Sequence, residues 1–270
     1  MEYILITNSP DIAMYAQDCG VHRIMVDLEI KGKRERQGHL DTVISCHDLS
    51  DIAKVRDVVK TSKLIVRVNP IDNESQDEIS KVIDMGADIV MLPMFKSVSE
   101  VTNFVKYVNG RAKCCLLLET PAAVARIDQI LEVPKIDEIH VGLNDLHLGF
   151  GLDFMFELLS GGVVEYLSKK INNANITFGF GGIARLGKGA VDSSLILSEH
   201  HRLNSRMVIL SRDFYGGVAN CEELKNKINL KKEIDALNSY YNQIMNLSYG
   251  DLIKNKLLLD NCVRSYIERL

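Results

Sequence analysis

Short, mostly apolar runs of five to seven residues punctuate this chain, and longer stretches between them repeat apolar residues three and four positions apart. The runs span Tyr3–Thr7, Arg23–Leu28, Lys63–Asn69, Asp88–Met94, Lys113–Glu119, Glu138–Asn144, Ile176–Gly181 and Arg206–Ser211. They lack the in–out alternation of a half-exposed sheet, so they read as strands buried on both faces. Between them, Asp48–Thr61, Ser75–Met85, Ser97–Asn109 and Thr120–Leu131 carry the spacing of amphipathic helices. Eight strands with intervening helices predict a (β/α)8 TIM barrel rather than an open doubly wound sheet. A ninth run, Thr42–Cys46, is read as part of a long loop after the second strand.

The pattern changes near Cys221. From there the apolar positions are helical throughout: Leu224 and Ile228, then Ile234, Leu237, Tyr241 and Ile244, then Leu252 to Leu270 after a break at Gly250. The expected organisation is a barrel over residues 1–220 and a C-terminal helical extension over 221–270. Part of that extension closes the barrel; the remainder is read as a packing or oligomerisation arm of a homo-oligomer.

Composition narrows the partners. With a net charge of −4 the chain has no general attraction for nucleic acid or anionic lipid. No apolar run approaches the ~20 residues that span a bilayer. The segment Met1–Thr7 lacks a basic leader and reads as the first strand. Six scattered cysteines, two of them adjacent at Cys114 and Cys115, suit buried reduced thiols. A cytoplasmic enzyme acting on a small molecule is the expectation.

In a barrel the chemistry sits where strands end and βα loops begin. Those positions are rich in charge: Asp27 and Glu29, Arg67, Glu119, Asn144 and Asp145, Arg185, and Arg212 with Asp213. Glu119 and Asp145 close two successive apolar strands, so parallel neighbours would bring both acids to one rim. Two hard oxygen donors beside an opening suit Mg²⁺ or Mn²⁺, with substrate and water completing the shell. Arg67 could grip a carboxylate through two parallel hydrogen bonds or pair with Asp27 or Glu29. The glycine-rich stretch 179–189, carrying Arg185 and Lys188, reads either as a phosphate-binding loop or as a turn with surface bases. Arg212 would contact substrate or pair with Asp213. His140 and His147 read as supporting or packing residues, and the His200–His201 pair, in a helix without a spaced partner, does not read as a metal site.

Five motifs in order carry a family resemblance: Val26-Asp27-Leu28-Glu29, Val66-Arg67-Val68-Asn69-Pro70, Met91-Leu92-Pro93, Leu118-Glu119-Thr120 and Gly142-Leu143-Asn144-Asp145-Leu146. Over roughly residues 21–151 they resemble the HpcH/HpaI aldolase and citrate lyase beta-subunit superfamily, whose members are pyruvate- or acyl-CoA-handling barrels working through an enolate. The resemblance implies that Glu119 and Asp145 bind a divalent metal and that Arg67 holds the substrate carboxylate or enolate oxygen. It further implies that the backbone around Gly142, Asn144 and Asp145 meets the carboxylate, and that Asp27 and Glu29 organise metal-bound water. The implied activity is a metal-dependent carbon–carbon lyase acting on an oxo acid. Alternatives are an acyl-CoA lyase, with the basic segment Lys31–Arg36 on the CoA phosphates, or a barrel without catalysis serving as an assembly subunit.

The chain departs from the family where protons move. Aldolase members place a histidine just after the Asp-x-Glu segment, where this chain has Ile30; His39 is the substitute within reach in sequence. The citrate lyase branch has a further acid at that position and a lysine after Leu-Pro, where this chain has Ile30 and Met94.

Overall fold

The computed structural model describes residues 1–31, 47–218 and 220–270. Its strands are β1 (Glu2–Ile6), β2 (Arg23–Asp27), β3 (Lys63–Arg67), β4 (Ile89–Leu92), β5 (Lys113–Leu118), β6 (Glu138–Val141), β7 (Thr177–Ile183) and β8 (Met207–Leu210). Each pairs in parallel with the next, and β8 returns to β1, closing the expected barrel. The run Thr42–Cys46 lies outside the described residues.

Both strand faces are buried, which is why the runs are apolar rather than alternating. Ile4, Met25, Ile65, Met91, Cys115, Leu117 and Met207 fill the barrel interior. The opposite faces pack under the surrounding helices in a second, larger cluster. At the floor of the barrel Arg23 is paired with the buried Glu138 (Nη2–Oε1 3.1 Å) and with Glu2.

The helices are α1 (Pro10–Asp18), α2 (Leu49–Val58), α3 (Ser75–Asp84), α4 (Val98–Val108), α5 (Pro121–Ala125), α6 (Ile127–Leu131), α7 (Leu143–Phe150), α8 (Glu157–Ser160), α9 (Val163–Asn173) and α10 (Ser193–Arg202). Capping residues set several starts: Asp48 with Asp51 before α2, Ser97 with Glu100 before α4, and Thr120 ahead of Pro121 in α5. The stretch Thr120–Leu131 is two short helices because the chain leaves helical geometry at Arg126.

β1 to β5 and β8 end one or two residues before the expected runs do, and the ends of β6 and β7 differ in a way that changes the site. β6 stops at Val141, and α7 begins at Leu143 with Gly142 as its N-cap, so Asn144 and Asp145 lie in the first turn of a helix. β7 continues to Ile183 because a bulge between Gly179 and Gly182 absorbs its change of register against β8.

The C-terminal extension comprises α11 (Cys221–Lys227), α12 (Leu230–Ile244) and α13 (Tyr249–Ile267). Ile234, Leu237 and Ile244 of α12 and Leu252, Leu259 and Val263 of α13 belong to the same core cluster as the barrel. These helices pack on α1, α8 and α10 of their own barrel, while Leu257 and Leu258 stay exposed on the outer side of α13.

Candidate active site

The β2–β3 register sets the first contact of the site. Asp27 stands directly opposite Arg67 across the parallel pair. Their side chains make a two-pronged ion pair, Nε–Oδ1 and Nη2–Oδ2 both at 2.7 Å. Glu29, two residues farther along the chain, lies 3.4 Å from Arg67 Nη1. Asp27 and Glu29 are each 1% exposed. Burial alone would favour a neutral Arg67, but the charges of Asp27 and Glu29 outweigh it and hold the guanidinium firmly protonated.

β5 leads into Glu119. The Leu118↔Val141 pairing places it beside Gly142 at the end of β6. Gly142 is needed for that approach, since a Cβ there would lie 2.8 Å from Glu119 Oε2 and 3.0 Å from Glu119 Cβ. On the other side, Glu119 Oε1 accepts the Met94 backbone N–H at 3.1 Å. Met94 aims that N–H from a left-handed backbone (φ 54°), a conformation that costs a non-glycine residue roughly 1–2 kcal/mol. Thr120 locks the same corner by donating its hydroxyl to the Phe95 carbonyl at 2.7 Å while capping α5.

Burial pushes the Glu119 carboxyl well above the usual carboxylate range. Repulsion from Glu29 and Asp145 pushes it further, and Arg67 opposes the rise. One corner of the barrel mouth therefore gathers Asp27, Glu29 and Glu119 around the Arg67 guanidinium, with Asp145 near enough to Glu119 to repel it. Asp145 sits in the first turn of α7, whose Gly142 N-cap offers no side chain to the leading amides. Those amides and the helix dipole favour negative charge nearby.

Among the described residues, only Asn144 of the remaining predicted ones lies next to this corner. Arg185 follows β7 and grips Asp213 with two bonds, Nε–Oδ2 2.9 Å and Nη2–Oδ1 3.0 Å, with Glu233 at 3.9 Å. Arg212 opens the 3-10 turn after β8. Asn144 stands beside Asp145 in α7. His39 and the basic residues 32–36 lie outside the described residues, and Lys31 is held by Asp72 and Glu74 (Nζ–Oε2 2.8 Å). Among the described residues, no group of three or more His, Cys, Asp or Glu side chains is arranged to hold a metal ion.

Sequence reasoning passed over two residues at this site. His47, just before the Asp48 cap of α2, accepts the Asp27 backbone N–H on Nδ1 at 2.9 Å. Its placement at the return of the β2 loop was the available signal. Asn69, inside one of the family motifs, binds the backbone of Ile30 and Lys31 immediately after Glu29.

Comparison with known proteins bears on the fold and the family. Among solved structures, an HpcH/HpaI aldolase from Desulfitobacterium hafniense DCB-2 superposes with TM-score 0.60 at 17% identity, covering 78% of this chain and 85% of its own. An HpcH/HpaI aldolase/citrate lyase family protein from Burkholderia cenocepacia J2315 gives 0.61 at 15% identity, over 78% and 87%. The citrate synthase SbnG gives 0.60 at 17% identity, over 87% and 94%. Identities this low establish a shared fold. No match was found among curated proteins. Residues 5–155, more than half the chain, match one protein family. This chain belongs to the HpcH/HpaI aldolase/citrate lyase family.

Proposed function

We propose that this protein is a divalent-metal-dependent carbon–carbon lyase of the aldolase type, acting on an oxo acid through a pyruvate enolate in the cytoplasm. One observation carries the reading: Glu119, buried between the Met94 amide and Gly142, shares the barrel mouth with Asp145 and with an Arg67 fixed by Asp27. Glu119 and Asp145 are hard oxygen donors of the kind Mg²⁺ or Mn²⁺ takes, and a cation offsets the repulsion that raises Glu119. When bound, that cation supplies Lewis-acid stabilisation of the negative charge that develops as an enolate forms.

The chain's own residues do the rest. Arg67 has five N–H donors, and Asp27 occupies one on Nε and one on Nη2. The Nη1 edge, near Glu29, is the side proposed to meet the substrate carboxylate or enolate oxygen, with Asp27 fixing the plane of the guanidinium. The amides opening α7 add donors for the carboxylate. Arg185 and Arg212 remain proposed substrate contacts at the β7–β8 side of the mouth. Proton transfer is assigned to a histidine of the β2 loop, His39 or His47. Because His47 Nδ1 accepts from Asp27, its neutral ring carries the proton on Nε2 and can deliver a proton but not take one from pyruvate, a step that falls to His39 in this reading.

The experiment is pyruvate α-proton exchange in deuterated buffer with added Mg²⁺ or Mn²⁺. Exchange should require the metal, and Glu119→Gln or Asp145→Asn should abolish both metal binding and exchange while the fold survives. Undiminished exchange in both variants would end this reading. Comparing His39→Ala with His47→Ala identifies the proton-transfer group by which one loses turnover.

A further inference from the structure

In a parallel pair the backbone rungs recur every second residue. Between β2 and β3 the last backbone rung of this kind is Leu28 N–H to Arg67 O at 2.9 Å. The next would join Ile30 N–H to the main-chain carbonyl of Asn69. Instead, the Asn69 side chain takes that place: its Oδ1 accepts Ile30 N–H at 3.0 Å and Lys31 N–H at 3.1 Å. Glu29 is thereby bracketed, since its own N–H goes to Asp27 Oδ1 at 3.2 Å. All four N–H groups from Leu28 to Lys31 are tied down on either side of the carboxylate that faces Arg67.

Something must orient Asn69, because a flipped amide would present NH2 to those two donors. Glu78 of α3 does this. Its carboxylate only accepts hydrogen bonds, and it takes Asn69 Nδ2 at 2.7 Å together with the Asn69 backbone N–H at 3.4 Å. Glu78 itself lies one turn inside α3, whose preceding residues Asp72 and Glu74 also hold Lys31.

We infer that Asn69, oriented by Glu78, is a positioning residue pair for the site: it extends the β2–β3 ladder one rung by side chain and so fixes Glu29 against Arg67. The inference rests on the aldolase reading for its catalytic consequence and on hydrogen bonds alone for its structural one. Asn69 and Glu78 are not placed in contact with substrate; they act through the backbone that carries Glu29.

The test combines amide hydrogen exchange, which needs no ligand, with metal-dependent pyruvate exchange. Asn69→Ala should speed exchange of the Ile30 and Lys31 amides by roughly tenfold or more and lower kcat for pyruvate exchange, with a smaller change in KM. Asn69→Asp alone should do the same, because two carboxylates then face each other. The double variant Asn69→Asp/Glu78→Gln should restore both readouts. In it the glutamine amide introduced on α3 can donate to the carboxylate introduced after β3, which still accepts from Ile30 and Lys31. Unchanged amide exchange in Asn69→Ala, or a folded double variant no better than Asn69→Asp, would overturn the inference. If the wild-type protein shows no pyruvate exchange, the aldolase reading fails and the amide measurements still decide the clamp.

Discussion

Glu119 shows how a single side chain acquires its properties from its neighbours. Its sequence context, an acid at the end of an apolar strand, says only that it lies at a rim. Its elevated pKa comes from burial and from Glu29 and Asp145, which arrive from the end of β2 and from α7. The close fit of Gly142 makes this arrangement fragile. Gly142→Ala would push a methyl group to within 2.8 Å of Glu119 Oε2. Overpacking of this kind costs about 1–3 kcal/mol. The expected result is a loss of that size in chemical denaturation and, under the proposed metal-binding role of Glu119, weaker Mg²⁺ or Mn²⁺ binding by calorimetry. A variant that binds metal as the wild type does would show that Glu119 does not need the space.

At the level of elements, the close approach of β7 to β8 depends on missing side chains. A Cβ on Gly179 would lie 2.3 Å from Met207 Cγ, 2.6 Å from the Met207 carbonyl oxygen and 2.9 Å from His140 Nδ1. The methionine can rotate, but the carbonyl belongs to the ladder and cannot. On Gly182 the nearest atom to a Cβ is Ile209 O at 3.6 Å, an ordinary contact. Gly179→Ala should therefore lower thermal stability by several degrees, with a cost of about 3 kcal/mol. Gly182→Ala should stay within about 1 kcal/mol of the wild type. Equal effects from the two would contradict this account of how β7 passes β8.

Across the whole molecule, the buried histidine of the barrel interior ties stability to pH. His140 is fully buried, and its Nε2–H meets the Gly181 carbonyl at 3.0 Å. Burial, aided by the charges of Arg23 and Arg67, lowers its pKa from 6.5 to about 4. The unfolded chain thus binds a proton more readily than the folded one between those values. Stability is complete above the unfolded pKa and falls as the pH drops from about 6.5 toward 4. The loss is on the order of 3 kcal/mol, the linkage equivalent of that shift. Denaturant midpoints at about pH 7.5 and 4.5, on either side of most of this window, measure it. His140→Gln, which keeps a donor for Gly181, should shrink the difference by about that amount and leave the share of His200, whose buried ring is likewise held well below its ordinary pKa. A variant with the wild-type pH slope would remove His140 as a source of it and leave His200.

The barrel was legible in the sequence because period and burial are local properties. Apolar runs and amphipathic spacing placed the eight strands of the described barrel, the helical stretches of α2 to α6 and the C-terminal helices within a few residues, but not α1 or α7 to α10. The carboxylates and Arg67 were legible too, since strand ends in such a fold point to one rim. What the sequence left open were relations between distant residues: that Asp27 and Arg67 share a register, that α7 begins at Leu143 and carries Asp145 in its first turn, and that Asp213 takes Arg185. His47 and Asn69 stood in the sequence without a partner to explain them. Periodicity records what a residue's own element needs, whereas pairings across strands and loops exist only once the chain has closed, and those pairings decide which of several charged strand ends become one site.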